Sequence, residues 1–164
     1  MSSYVVSAGS SASIGSDYQN VDVYGVLTIV SGTTVQDTIV HNGGSTSIYG
    51  SSVAVDASSG GAHIEIESGG AVKTANISGV VGSASEIVVN NGGKILENAN
   101  IGPDGILKVA NGGSATSASI KSGGTLVVES GAVLTDTILK SGGNIEFASY
   151  KYGSSVSAYF TPDN

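Results

Sequence analysis

The 164-residue chain carries 25 Gly, 28 Ser and 11 Thr, and has no Cys, Trp or Arg. A net charge of −7 with six scattered Lys leaves no basic footprint for nucleic acid or an anionic membrane, and the lack of Cys rules out disulfides and thiolate metal sites. Small side chains bury little apolar area each, which disfavours an ordinary globule, while 40% hydrophobic and 12% charged residues argue against disorder.

From the N-terminus, M-S-S-Y-V-V-S-A-G lacks the charged and apolar regions of a cleaved secretory signal, and no later stretch reaches transmembrane length. A short pattern then recurs: turn, alternating apolar pair, polar residue, turn. Its copies are Y-V-V-S-A-G at 4–9, G-V-L-T-I-V-S-G at 25–32, S-T-S-I-Y-G-S at 45–51 and G-A-H-I-E-I-E-S-G at 61–69. They continue as S-E-I-V-V-N-N-G at 85–92, G-I-L-K-V-A-N-G at 105–112, G-T-L-V-V-E-S-G at 124–131 and G-N-I-E-F-A-S-Y at 143–150. The last residues of these copies are spaced 23, 19, 18, 23, 20, 19 and 19 apart, a mean near twenty.

Three residues before each copy's end stand Val6, Ile29, Ile48, Ile66, Val89, Val109, Val128 and Phe147. Five before stand Tyr4, Leu27, Thr46, Ile64, Ile87, Leu107, Leu126 and Ile145, with Thr46 the one non-apolar member of both sets. Residues two apart share a strand face, so these sixteen predict internal columns in a stack of parallel coils. Seven or eight rungs at ~4.8 Å would stand about 35 Å tall.

Between the copies runs a looser stripe: Val35 and Ile39, Val72 and Ile77, Ile95 and Ile101, Ala115 and Ile120, Leu134 and Ile138. Each coil therefore has a short arm and a long arm. Gly-Gly pairs at 43–44, 60–61, 69–70, 92–93, 112–113, 123–124 and 142–143 mark the corners, and Asn42, Asn91 and Asn111 before them tolerate left-handed geometry. The two 23-residue spacings place extra loops around 13–25 and 78–85. All seven Tyr lie outside 50–149, at positions 4, 18, 24, 49, 150, 152 and 159, and with Phe160 are expected to cap the open ends.

Residue types that carry chemistry are sparse. His41 and His63 read as surface residues, and Glu65 and Glu67 share an outward strand face. That pair suits glycoside hydrolysis only if both carboxylates converge on one substrate. The corresponding position in other coils holds Asn90, Ala110 or Glu129, which favours a solvated face. The seven Asp do not recur in register, so no metal or other cofactor is expected.

The run L-V-V-E-S-G-A-V-L-T-D-T-I-L-K-S-G-G at 126–143, with its turn chemistry and period over roughly 4–150, resembles the repeats of AIDA-type autotransporter adhesin passengers. The resemblance implies a right-handed parallel β-helix (β-solenoid) displayed on a bacterial surface or secreted, active in adhesion and self-association. It also implies O-linked modification of outward Ser and Thr by a heptosyltransferase, for which Ser45, Thr74, Ser114, Thr116, Ser117 and Thr135 are the candidates. The chain lacks the C-terminal membrane barrel of that family.

The resulting expectation is one all-β solenoid over 1–164. A cap and irregular first coil occupy 1–25, repeat coils 26–149, and a C-terminal cap or truncation 150–164. Its function is non-catalytic. Expected partners are host-cell or bacterial surface receptors, a heptosyltransferase, and further copies end to end or side by side, without nucleic acid or membrane insertion. The alternatives are a polysaccharide-binding or polysaccharide-degrading β-helix, and a secreted scaffold that assembles end to end.

Overall fold

The computed structural model describes residues 3–148 and the backbone of 160–162. The chain forms a parallel β-solenoid with no helix among the described residues. Successive strands alternate between two sheets, so each sheet grows by one strand per coil. The short arms form an eight-stranded sheet: Ser11–Ile14, Val26–Ile29, Ser45–Ile48, His63–Ile66, Ser85–Val89, Gly105–Val109, Thr125–Glu129 and Asn144–Ala148. The long arms form the other, beginning with Ser3–Val6, Tyr18–Val23, Thr34–Val40, Ser51–Ala57, Ala71–Ile77 and Lys94–Ile101.

The short-arm register matches the sequence pattern from the second coil onward. Ile29, Ile48, Ile66, Val89, Val109, Val128 and Phe147 are successive ladder partners, and so are Leu27, Thr46, Ile64, Ile87, Leu107, Leu126 and Ile145. From Leu27 to Val128 every member of the two columns is buried. Each fully buried Ile or Leu contributes about 1.5–3 kcal/mol, so the stack gains its stability rung by rung.

The first coil differs from expectation. Ser3–Val6 pairs with Tyr18–Val23 and belongs to the long-arm sheet, and Ile14 and Ala12 head the short-arm columns by pairing with Ile29 and Leu27. Segment 13–25 is therefore no loop; it holds the end of one rung and the whole of Tyr18–Val23. With Ile14 in place of Val6, 133 residues to Phe147 cover seven steps, a mean of 19 per coil. The second expected loop is present: residues 78–84 leave the coil, closed by a bridge between Val80 and Ser83, with Val81 98% exposed at its tip.

The long arm bends, and the bend sets which residues enter the core. Inward positions fall at offsets zero, three and five: Val35, Thr38, Val40; Ser52, Val55, Ala57; Val72, Ala75, Ile77. Lys94–Ile101 carries one extra residue at the bend and buries Ile95, Ala99 and Ile101. In the next two coils the bend splits the arm into Ser114–Thr116 with Ala118–Ile120, and Val133–Thr135 with Thr137–Leu139. Two members of the looser stripe thus point outward. Ile39 is 38% and Ile138 37% exposed, and the core positions go to Val40 and Leu139.

At the corners the two glycines of a pair do different work, except in the 60–61 pair, where both take a positive φ. The first takes a positive φ, as Gly69 (85°) and Gly92 (79°) do, and the residue after it donates its N–H three residues back, Gly70 to Glu67 at 2.8 Å and Gly93 to Asn90 at 2.9 Å. The second lies against the neighbouring coil. Asn42, Asn91 and Asn111 do not adopt positive φ; among the described residues the non-Gly positions that do are Asp104, Ser117 and Asp136. Asn91 instead leans over Gly112, where a side chain would collide with its amide.

Aromatic placement is mixed. Tyr4 and Tyr18 pack on the N-terminal end of the core with ring centroids 5.2 Å apart. Tyr24 and Tyr49 are exposed on the flanks of the coil rather than over an end. Tyr150, Tyr152, Tyr159 and the Phe160 side chain lie outside the described residues, as does the segment 150–164 apart from the 160–162 backbone.

Candidate functional surface

Because the strands are parallel and in register, outward residues also stack in columns. On the short arm His63 stands between two carboxylates, with Nε2 3.8 Å from Glu65 and Nδ1 3.3 Å from Glu86 on the next coil. Glu67 shares the outward face with Glu65, but its Oε2 accepts a hydrogen bond from Asn90 Nδ2 at 3.1 Å. The two carboxylates therefore engage different neighbours and do not converge on one point. Glu65 faces a histidine on its own strand, and Glu67 an asparagine on the next coil.

One coil pair further, Lys108 Nζ lies 2.9 Å from Glu129 Oε1, and Glu129 Oε2 accepts the Asn111 N–H at 3.3 Å. The hydrogen bond from Lys108 holds the Glu129 carboxyl below its ordinary range, and the same bond raises the Lys108 ammonium. Both groups are partly solvated, so the pair is a surface interaction of modest strength. His41, on the other side of the coil, is stacked on Tyr24 at 4.0 Å and 2° between planes, with Nε2 2.9 Å from Asp22. Among the described residues no three His, Asp or Glu side chains gather as metal ligands would.

The hydroxyl candidates separate into one group and two outliers. Thr116 and Thr135 are ladder partners, Ser114 lies two residues before Thr116 on the same strand, and Ser117 occupies the adjoining bend at φ 52°. The bend is held by the Ser117 N–H, which donates to the Thr135 carbonyl at 2.7 Å. Thr135 is exposed and the other three are half-buried. Ser45 stands alone on the short arm between Val26 and His63. Thr74 sits mid-arm, its hydroxyl donating to the Val53 carbonyl at 3.2 Å.

Sequence reasoning assigned no role to Asn20, Asp37, Asp56 or Asn76, which the bend brings together on the outer face of the long arm. Their only signal is a polar residue at an outward offset, and that offset is unknown until the bend is placed.

Comparison with protein families and with curated proteins finds no match. Among solved structures the chain is similar to a hyper-glycosylated fragment of TibA, whose glycosylation was catalysed by TibC. The identity is 22% and the TM-score 0.34, over 95% of this chain and 80% of that one. The fold described above rests on this chain's own ladders.

Proposed function

We propose that the chain is a non-catalytic segment of a bacterial surface or secreted adhesin passenger. It presents an extended face for adhesion or self-association and serves as a substrate of an O-linked heptosyltransferase. The reading is supported by the resemblance of the 126–143 repeats to AIDA-type passengers. One structural observation carries it: the charged side chains of the short arm pair off between coils and do not gather into one site. Ser114, Thr116, Ser117 and Thr135 crowd a solvent-facing corner. Receptors on host or bacterial cells would meet such a surface through many weak contacts, and avidity would supply the strength.

Intact mass of the protein from its native host tests the modification. Sugar-sized increments mapped to the 114–117 and 135 corner support it, and an unmodified mass removes the transferase from the proposal. Display on a non-adherent bacterium tests the rest: faster settling or cell attachment is expected, and behaviour equal to the undisplayed strain would sink the adhesin reading.

A further inference from the structure

Two depressions on the outer face of the long arm, about 280 Å³ and 230 Å³, share Asn76 and so follow one another along the solenoid axis. The first opens where a small residue interrupts an outward column. In the register Asn20, Asp37, Ala54, Thr74, the Ala54 methyl leaves a gap between larger neighbours, and Thr74 is folded back onto the Val53 carbonyl. The second depression is lined by Ser78, Gly102, Pro103 and Lys121 beside Asn76 and Asn100. The adjacent column runs Asp22, Ile39, Asp56, Asn76, Asn100 and forms the wall of both.

The lining of the depressions holds unused hydrogen-bonding capacity. The side chains of Asn20 and Asp37 make no hydrogen bond or ion pair with the described residues. Asp56 spends one oxygen on Ser58, and Asn100 donates to Asn76 Oδ1 at 3.1 Å, which leaves the Asn76 amide N–H groups and the Asn100 carbonyl oxygen free. The backbone beneath is consumed by inter-coil ladders, so an extended peptide would find no main-chain partners. Asp37 and Asp56 repel phosphate, sulfate and uronate groups. What remains complementary is a neutral ligand offering donor and acceptor pairs at intervals close to one strand spacing, ~4.8 Å, which is near the length of one pyranose unit. Ile39 and Pro103 supply apolar patches for C–H faces.

We infer that this groove binds a neutral linear glycan laid along the solenoid axis. The inference requires neither O-linked modification nor display at a cell surface. No aromatic platform lines the groove, so single-chain dissociation constants fall on the order of 1 mM.

The test is a two-dimensional NMR titration of the full ¹⁵N-labelled chain with neutral linear hexasaccharides of β-1,4-, β-1,3- and α-1,4-linked glucose. A hexasaccharide of uronic acid and calcium chloride serve as comparisons. At least one neutral hexasaccharide is expected to shift the side-chain amide signals of Asn20, Asn76 and Asn100 saturably. Asn76→Ala should weaken binding about tenfold. Ala54→Gln, which fills the first gap at an outward position, should do the same, while Glu129→Gln on the short arm leaves it unchanged. The inference is overturned by the absence of saturable shifts at about 10 mM of every neutral sugar. Shifts confined to the short arm, or a response to calcium or uronate alone, overturn it equally. None of these outcomes alters the mass and settling tests above.

Discussion

A β-carbon placed on Gly70 would lie 2.0 Å from the carbonyl oxygen of Ile48 on the preceding coil. The same relation recurs at Gly93 above Ile66, 2.2 Å, and at Gly113 above Val89, 2.5 Å. In these three pairs the second glycine is therefore fixed by contact between coils, whereas the first takes a left-handed backbone angle. Gly69, at φ 85°, has no atom closer than 4.0 Å to an added β-carbon.

Substitution separates the two roles. Gly70→Ala must push two backbones apart and is expected to cost about 3 kcal/mol. Gly69→Ala pays only for left-handed backbone, about 1–2 kcal/mol. Urea midpoints of the two variants measure the difference, and an equal or reversed order would show that the coils do not approach as described.

The bend in the long arm is testable by a second pair. Ile120 is fully buried in its column, while Ile138, one coil on and one residue before the column, faces outward. Ile120→Ala should lose about 2–5 kcal/mol. Ile138→Ala should stay within about 0.5 kcal/mol of the parent. A large loss at Ile138 would place it inside and restore the simple alternation.

Thr46 interrupts the short-arm column between Leu27 and Ile64, fully buried, with its hydroxyl oxygen unpartnered. Removing a buried hydroxyl that makes no hydrogen bond relieves a desolvation penalty, so Thr46→Val should stabilise the fold by about 1–2 kcal/mol. A drop in thermal midpoint for this variant would mean that the hydroxyl has a partner in solution.

The Lys108–Glu129 pair should lose its contribution to stability at acid pH. Glu129 is held below its ordinary range by Lys108, so its contribution is complete above the unfolded carboxylate range and fades as pH falls through the depressed folded value. Lys108 is raised, so its share is complete below the ordinary lysine range and fades only at strongly alkaline pH. Solvent exposure keeps the total under about 1 kcal/mol. Thermal unfolding of Glu129→Gln against the parent should differ at neutral pH and low salt, and the difference should shrink as the solution is acidified through the depressed Glu129 value. A gap that widens on acidification would contradict the pairing.

The period, the parallel stacking and the short-arm core were legible in the sequence because that arm is straight. On a straight strand, faces alternate strictly, so Leu27 and Ile29 announce Leu107 and Val109 from the pattern alone. The corner glycines were legible too, since few other residues accept positive φ. The first coil was not, because Y-V-V at 4–6 and S-A-S-I at 11–14 both satisfy the alternation, and only pairing with Tyr18–Val23 and Val26–Ile29 tells them apart. The long arm was hidden for a related reason. Its bend turns two successive residues outward, and such a shift exchanges core and solvent faces for all that follows. That exchange put Val40 rather than Ile39 in the core, and it brought Asn20, Asp37, Asp56 and Asn76 to one groove. Local alternation thus determined what repeats, and contacts between coils, which no single repeat contains, decided which side of each long arm faces the solvent.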